Sequence, residues 1–221
     1  MEERAVALMG HAESEAQLRP ATAADARGAA HLIYAPMGRM ADYLFGSDDA
    51  ASALDVLTKL FRQRENRFTH QFSDVLELDR QVVGLLLGYP ASLVDEFSVP
   101  MAKQLREIIG VGGMLRLIRR SLPLMRVKEY ESDEFYIFTI AILPGLQSHG
   151  LGARLLERAE ERCRAAGLWK CSLGVTTDNE GAIRFYKRFG YRMVETVRVP
   201  QLERAIEYPG YHRMVKELPA K

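Results

Sequence analysis

The chain has 221 residues, 48% of them hydrophobic, and a formal charge of +1. That size supports one substantial core, and the near-cancelled charge lacks the basic excess of a nucleic-acid binder. No apolar run approaches the roughly 18–20 residues of a bilayer span, and residues 1–16 lack the apolar core of a signal peptide. A cytoplasmic protein without a membrane partner is therefore expected.

Residues 1–16 read as a flexible polar leader and 17–217 as a single domain. Gln17–Arg19 reads as a short strand stopped by Pro20. Thr22 and Asp25 have the spacing of a helix-opening box, in which hydroxyl and carboxylate satisfy free amides; that helix is expected to run to Pro36. Asp48 or Asp49 would cap a second helix, carrying Leu54, Leu57, Leu60 and Phe61 on one face. Phe72–Leu78 and Val82–Tyr89 are strand candidates joined by a hairpin turn at Asp79-Arg80-Gln81. Two helices are expected between Ala91 and Glu131, separated near Gly110, Gly112 and Gly113 and interrupted by Pro123.

Phe135–Leu143 is an apolar, partly β-branched run too short for a membrane and fit for an inner strand covered on both faces. Pro144-Gly145 ends it. A helix from Leu151 to about Ala166 follows, with Leu155, Leu156, Ala159, Cys163 and Ala166 inward and Arg154, Glu157, Arg158, Glu161 and Arg162 toward water. Cys171–Thr176 is a further strand, Asn179–Phe189 a short helix, and Tyr191–Val199 and Tyr211–Glu217 closing strands. Cys163 and Cys171 are not spaced as a CxxC pair, and His11, His31, His70, His149 and His212 are scattered. Neither a disulfide nor a metal site is expected.

The most informative feature is the loop Gln147-Ser148-His149-Gly150-Leu151-Gly152, which follows the inner strand and opens a helix. Glycines let backbone approach a ligand closely, and the free amides and positive dipole end of a helix favour phosphate. A Walker loop would need Lys and Ser or Thr directly after Gly150, where Leu151 and Gly152 stand. A dinucleotide fingerprint would need a third glycine at Leu155. Both tests fail, which leaves an anion cradle of another kind or a plain tight turn.

In its surroundings the loop resembles the acetyl-CoA signature of the GNAT family of N-acetyltransferases, through Gln147, Gly150 and Gly152 after Leu143-Pro144. Asn179, Ala182, Tyr186 and Gly190-Tyr191 resemble a second stretch of that family. The resemblance implies an α/β (α+β) fold: a central mixed, mostly antiparallel sheet flanked by helices, with a helical insert at about 91–131. It also implies a splayed central strand whose Ile142 and Leu143 offer backbone groups to the pantetheine arm. Gln147, Ser148, His149, Gly150, Leu151 and Gly152 would then hold the diphosphate, Asn179 would touch the pantetheine side and Tyr186 would stand near the sulfur.

The implied activity is transfer of an acetyl group from acetyl-CoA to a primary amine by direct attack in a ternary complex, without a metal. A backbone amide near Leu143 would polarise the carbonyl and Tyr186 would protonate the leaving thiolate. Tyr186 also fits a core aromatic on the apolar face of Ala182, Phe185 and Phe189. Glu134, beside Tyr136, stands where the family often has a base, or is a solvated strand-end acid; water or His149 are other routes for the proton. The insert, with Arg116, Arg119, Arg120, Arg126 and Lys128 among apolar residues, suits a helical hairpin, a wall over the acceptor pocket, or an acidic or membrane surface contact. The alternative function is a non-catalytic acyl-CoA-binding or interaction module, and a homodimer is compatible with either.

Overall fold

The computed structural model describes residues 16–46 and 52–219, so residues 1–15 of the leader and the expected caps at Asp48 and Asp49 lie outside the described residues. The expected sheet is present, with strands β1 (Gln17–Pro20), β2 (Ser73–Leu78), β3 (Gln81–Pro90), β4 (Phe135–Ile142), β5 (Lys170–Thr176), β6 (Arg192–Val197) and β7 (Tyr211–Glu217). They lie in the order β1-β2-β3-β4-β5-β7-β6, and every pairing is antiparallel except β4 with β5. The β2–β3 turn is Asp79-Arg80, both with positive φ (49° and 62°). Primed turns of that kind match the twist of a hairpin.

One face of the sheet carries α1 (Ala26–Met37), α2 (Arg39–Phe45), α3 (Ala53–Arg62) and α4 (Val94–Ser121); the other carries α5 (Leu151–Ala165) and α6 (Glu180–Arg188). Strand alternation feeds both cores. Leu85, Leu87 and Tyr89 of β3 and Tyr136 of β4 are buried with the first helix group, and Leu86, Phe135 and Ile137 with the second. β4 is thus covered on both faces, as its unbroken apolar run requires.

Helix starts follow the local chemistry. Thr22 and Asp25 form a capping box at a 3-10 turn that leads into α1. Ser52 caps α3 and exchanges hydrogen bonds with Asp55, whose amide donates to the Ser52 hydroxyl at 3.2 Å. The segment expected as two helices is continuous in α4 but breaks its geometry at Gly110, with φ 69° and ψ 178°. Glycine permits that kink because it has no Cβ to clash.

Two expectations for α5 need correction, the first being Ala166, expected inward, which is its exposed C-cap. Arg158 and Arg162 do not simply face water: both bind the buried Asp74 of β2, at 3.1 and 2.9 Å, and Arg162 also donates to the carbonyls of Phe72 and Gly88. Helical periodicity finds the outward face but not a buried carboxylate waiting on it. A further helix, α7 (Pro200–Ile206), lies in the linker between the expected strands Tyr191–Val199 and Tyr211–Glu217. Pro200 at its first turn suits a helix start.

Candidate active site

The site begins where β4 and β5 part. They pair through Phe135–Ile137 and Cys171–Leu173, yet β4 continues to Ile142 and β5 to Thr176. Beyond that rung a wedge opens in the middle of the sheet. The rung sits next to a β-bulge: Leu87 pairs with Thr139 and Gly88 with Ile137, leaving Phe138 as the extra residue. Bulges bend a strand and re-aim its side chains.

The backbone groups facing the wedge follow from the ladder. The Leu143 amide donates to the Val83 carbonyl at 2.9 Å, so Leu143 belongs to the β3 side. Antiparallel alternation then turns Ile142 and Ile140 toward the wedge. The Gln147 side-chain amide reaches the Ile142 carbonyl from that side at 3.4 Å. The backbone of Ile142 thus faces the wedge, whereas the Leu143 amide is spent in the sheet, which corrects its expected role.

The loop at the end of β4 curls tightly. Gly145, Ser148 and Gly150 have φ of 90°, 68° and 72°. A left-handed non-glycine residue such as Ser148 costs on the order of 1 kcal/mol and is tolerated where a loop has a task. Gly150 opens α5 without any side-chain cap, so amides of the first turn are left for a ligand or water. His149 has a buried Nδ1 without a hydrogen-bond partner among the described residues.

α6 lies against this helix start: a Cβ on Gly152 would stand 3.4 Å from the Phe185 ring. Asn179 is the N-cap of α6, its Oδ1 accepting from the Ala182 amide at 3.1 Å. That cap engages the side chain that the resemblance places against the pantetheine side of the cofactor. Tyr186 is buried among Phe185 and Tyr191, and burial pushes its hydroxyl up to a pKa of about 12. It keeps its proton at neutral pH.

Glu134 takes a different task from the one expected. It is buried, ion-paired with Arg213 of β7, and its other oxygen accepts from the Glu131 amide at 2.9 Å. Both oxygens are engaged, so the carboxylate ties the start of β4 to β7 and is not a free proton acceptor.

On the opposite side of the sheet from α5, a cavity of about 940 Å³ reaches the wedge at Thr139, Gly174 and Thr176. Its walls come from the α1–α2 corner, both halves of α4 and the segment 124–130. The insert therefore forms a cavity wall, and Arg120 fixes it by donating to the carbonyls of Tyr43 and Gly46 at the end of α2. Arg67, Lys128 and Glu129 are the charged residues on the lining.

Arg67 binds Glu129 at 2.5 Å and the Tyr89 hydroxyl at 3.2 Å, and lies over the Phe138 ring. Burial opposes its charge, but Tyr89 and Glu129 beside it hold its pKa well above the ordinary arginine value. Tyr208 is pushed up to about 12 by burial and by Glu129. Tyr211 is raised for the same reasons, and its buried hydroxyl lacks a hydrogen-bond partner among the described residues. Sequence reasoning missed this cluster because its members, from positions 67 to 211, share no local pattern.

A family-wide pattern described as the Acetyltransferase (GNAT) family matches residues 44–191, more than half of the chain. The protein YxbD of Bacillus subtilis (strain 168) is 40% identical over 76 residues, 31% of this chain and 46% of its own length. N-alpha-acetyltransferase 50 of Danio rerio is 26% identical over 137 residues, 59% of this chain and 76% of its own length. The chain thus covers about half the length of the former and about three quarters of the latter. Among solved structures, one described as an acetyltransferase has a TM-score of 0.66 at 24% identity, covering 92% of this chain and 100% of its own. An N-acetyltransferase from Staphylococcus aureus Mu50 has a TM-score of 0.64 at 21% identity, covering 90% and 100%. These structural likenesses bear on the fold. The chain belongs to the GNAT acetyltransferase family.

Proposed function

We propose that this member of the acetyltransferase family transfers the acetyl group of acetyl-CoA to a primary amine that enters through the cavity. The observation that carries the reading is the open wedge between β4 and β5, with an uncapped helix start at its end and a cavity reaching it from the opposite face. The donor would lie along the wedge. Ile140 and Ile142 would bind the pantetheine arm as an added strand, while the curled loop and first α5 amides, from Gln147 to Gly152, would hold the diphosphate. The uncapped α5 start and the orphaned His149 Nδ1 fit such a ligand.

Direct attack needs an unprotonated amine, a stabilised carbonyl oxygen and a protonated leaving sulfur. The wedge-facing amides of β4 would polarise the carbonyl in place of Leu143. As the new C–N bond forms and the C–S bond breaks, Tyr186 would give its proton to the thiolate and regain one from solvent. Water at the mouth of the cavity would take the proton the amine loses. Asn179 would act through its cap, by fixing α6 and with it Tyr186. A non-catalytic acyl-CoA-binding module would need the wedge but not a large cavity meeting it, which favours the enzyme.

The test is a panel of small amines, amino acids, aminoglycosides and peptides incubated with acetyl-CoA while free thiol is followed. Thiol release that depends on an amine supports transfer. Tight acetyl-CoA binding without release for any amine would favour the binding module.

A further inference from the structure

Three features of the acceptor side converge. The cavity is near the upper end of the roughly 300–1,000 Å³ range of small-molecule pockets, far more than a few-carbon amine fills. Five of the chain's nine methionines (Met37, Met40, Met101, Met114 and Met125) line it. Methionine is flexible and polarisable, and it adapts to apolar bodies of varied shape. The lining also does not stop at the mouth. Ile118 of α4 and Met125 in the 3-10 turn after it face the cavity and are themselves 49% and 76% exposed, and Leu115 of α4 and Leu122 at its C-cap continue them at 64% and 54%. Spacings of three and four residues put Leu115, Ile118 and Leu122 on one helix face.

We propose that the acceptor is an elongated apolar amine, whose amino end meets the wedge and whose aliphatic body runs through the cavity onto this stripe. The proposal rests on the reading of the cavity as the acceptor side. The charged residues of the lining are paired, Arg67 with Glu129 and Lys128 with Glu131, which leaves the rest of the track apolar. Continuity with the cavity assigns the exposed stripe to the substrate rather than to a second copy of the chain.

The experiment measures binding of butylamine, octylamine and dodecylamine by calorimetry, below their micelle concentrations, and kcat/KM for each with acetyl-CoA. Affinity is expected to rise by about threefold to fourfold per methylene, from roughly 0.8 kcal/mol per buried CH₂. In the Leu115→Ser/Leu122→Ser variant, the gain from octylamine to dodecylamine should fall by about tenfold or more. A flat dependence of affinity on chain length overturns the proposal, and so does a wild-type dimer that this variant splits. If dodecylamine binds with the expected slope but no amine is acetylated, acetyl transfer fails and the apolar acceptor track stands. If short amines are acetylated and length adds nothing, the reverse holds.

Discussion

At the residue scale, the account turns on Tyr186 and Gly150. Burial pushes the Tyr186 hydroxyl up to a pKa of about 12, so it keeps its proton throughout the neutral range. Tyr186→Phe should lower kcat about a hundredfold, the lower end of a general acid's contribution, while the Kd for acetyl-CoA from calorimetry stays within about twofold. Equal turnover would remove the acid role. Gly150 has φ of 72°, a conformation that a β-branched residue adopts only as an outlier. Gly150→Val should cost most of the acetyl-CoA affinity; unchanged affinity would mean that the loop is only a turn. The sequence pointed to both residues because each sits in a short local pattern. Glu129 and Arg67 were invisible there, since their meaning depends on contacts between segments 62 positions apart.

At the scale of elements, the cradle depends on how firmly α5 is held to the sheet. Asp74 is buried and accepts from both Arg158 and Arg162. Asp74→Ala would leave the Arg162 guanidinium without its carboxylate in a largely buried position, a change that costs about 3 kcal/mol. Urea unfolding should read that loss directly, and a change below about 1 kcal/mol would demote the pair to a surface contact. Most elements were legible in the sequence: glycine, proline and capping residues mark their ends, and the β2–β3 turn follows from its residues. α7 was not, because Pro200 and one buried residue, Leu202, leave too short a pattern. The wedge was expected only through resemblance, since a strand's residues do not record where its neighbour leaves it.

For the whole molecule, the acid limit of stability should carry the signature of Asp25. Hydrogen bonding from Arg19 holds its carboxyl down at about 2, against 3.8 ordinarily. A depressed carboxyl stabilises the fold fully above its unfolded pKa and loses that contribution as pH falls through the folded one. The stability difference between wild type and Asp25→Asn should therefore be constant above about pH 5 and shrink between about pH 4 and 2. A difference independent of pH would place the pair's effect elsewhere. The same whole-molecule view explains why the cavity escaped the sequence: its walls come from α1, α2, α4, the segment 124–130 and β4, β5 and β7, and only the assembled sheet brings them to one place. Hydrogen exchange of the full chain with and without coenzyme A tests the central claim most directly. Protection should appear at the amides of Ile140, Ile142, Leu151 and Gly152; protection confined to another part of the sheet would contradict it.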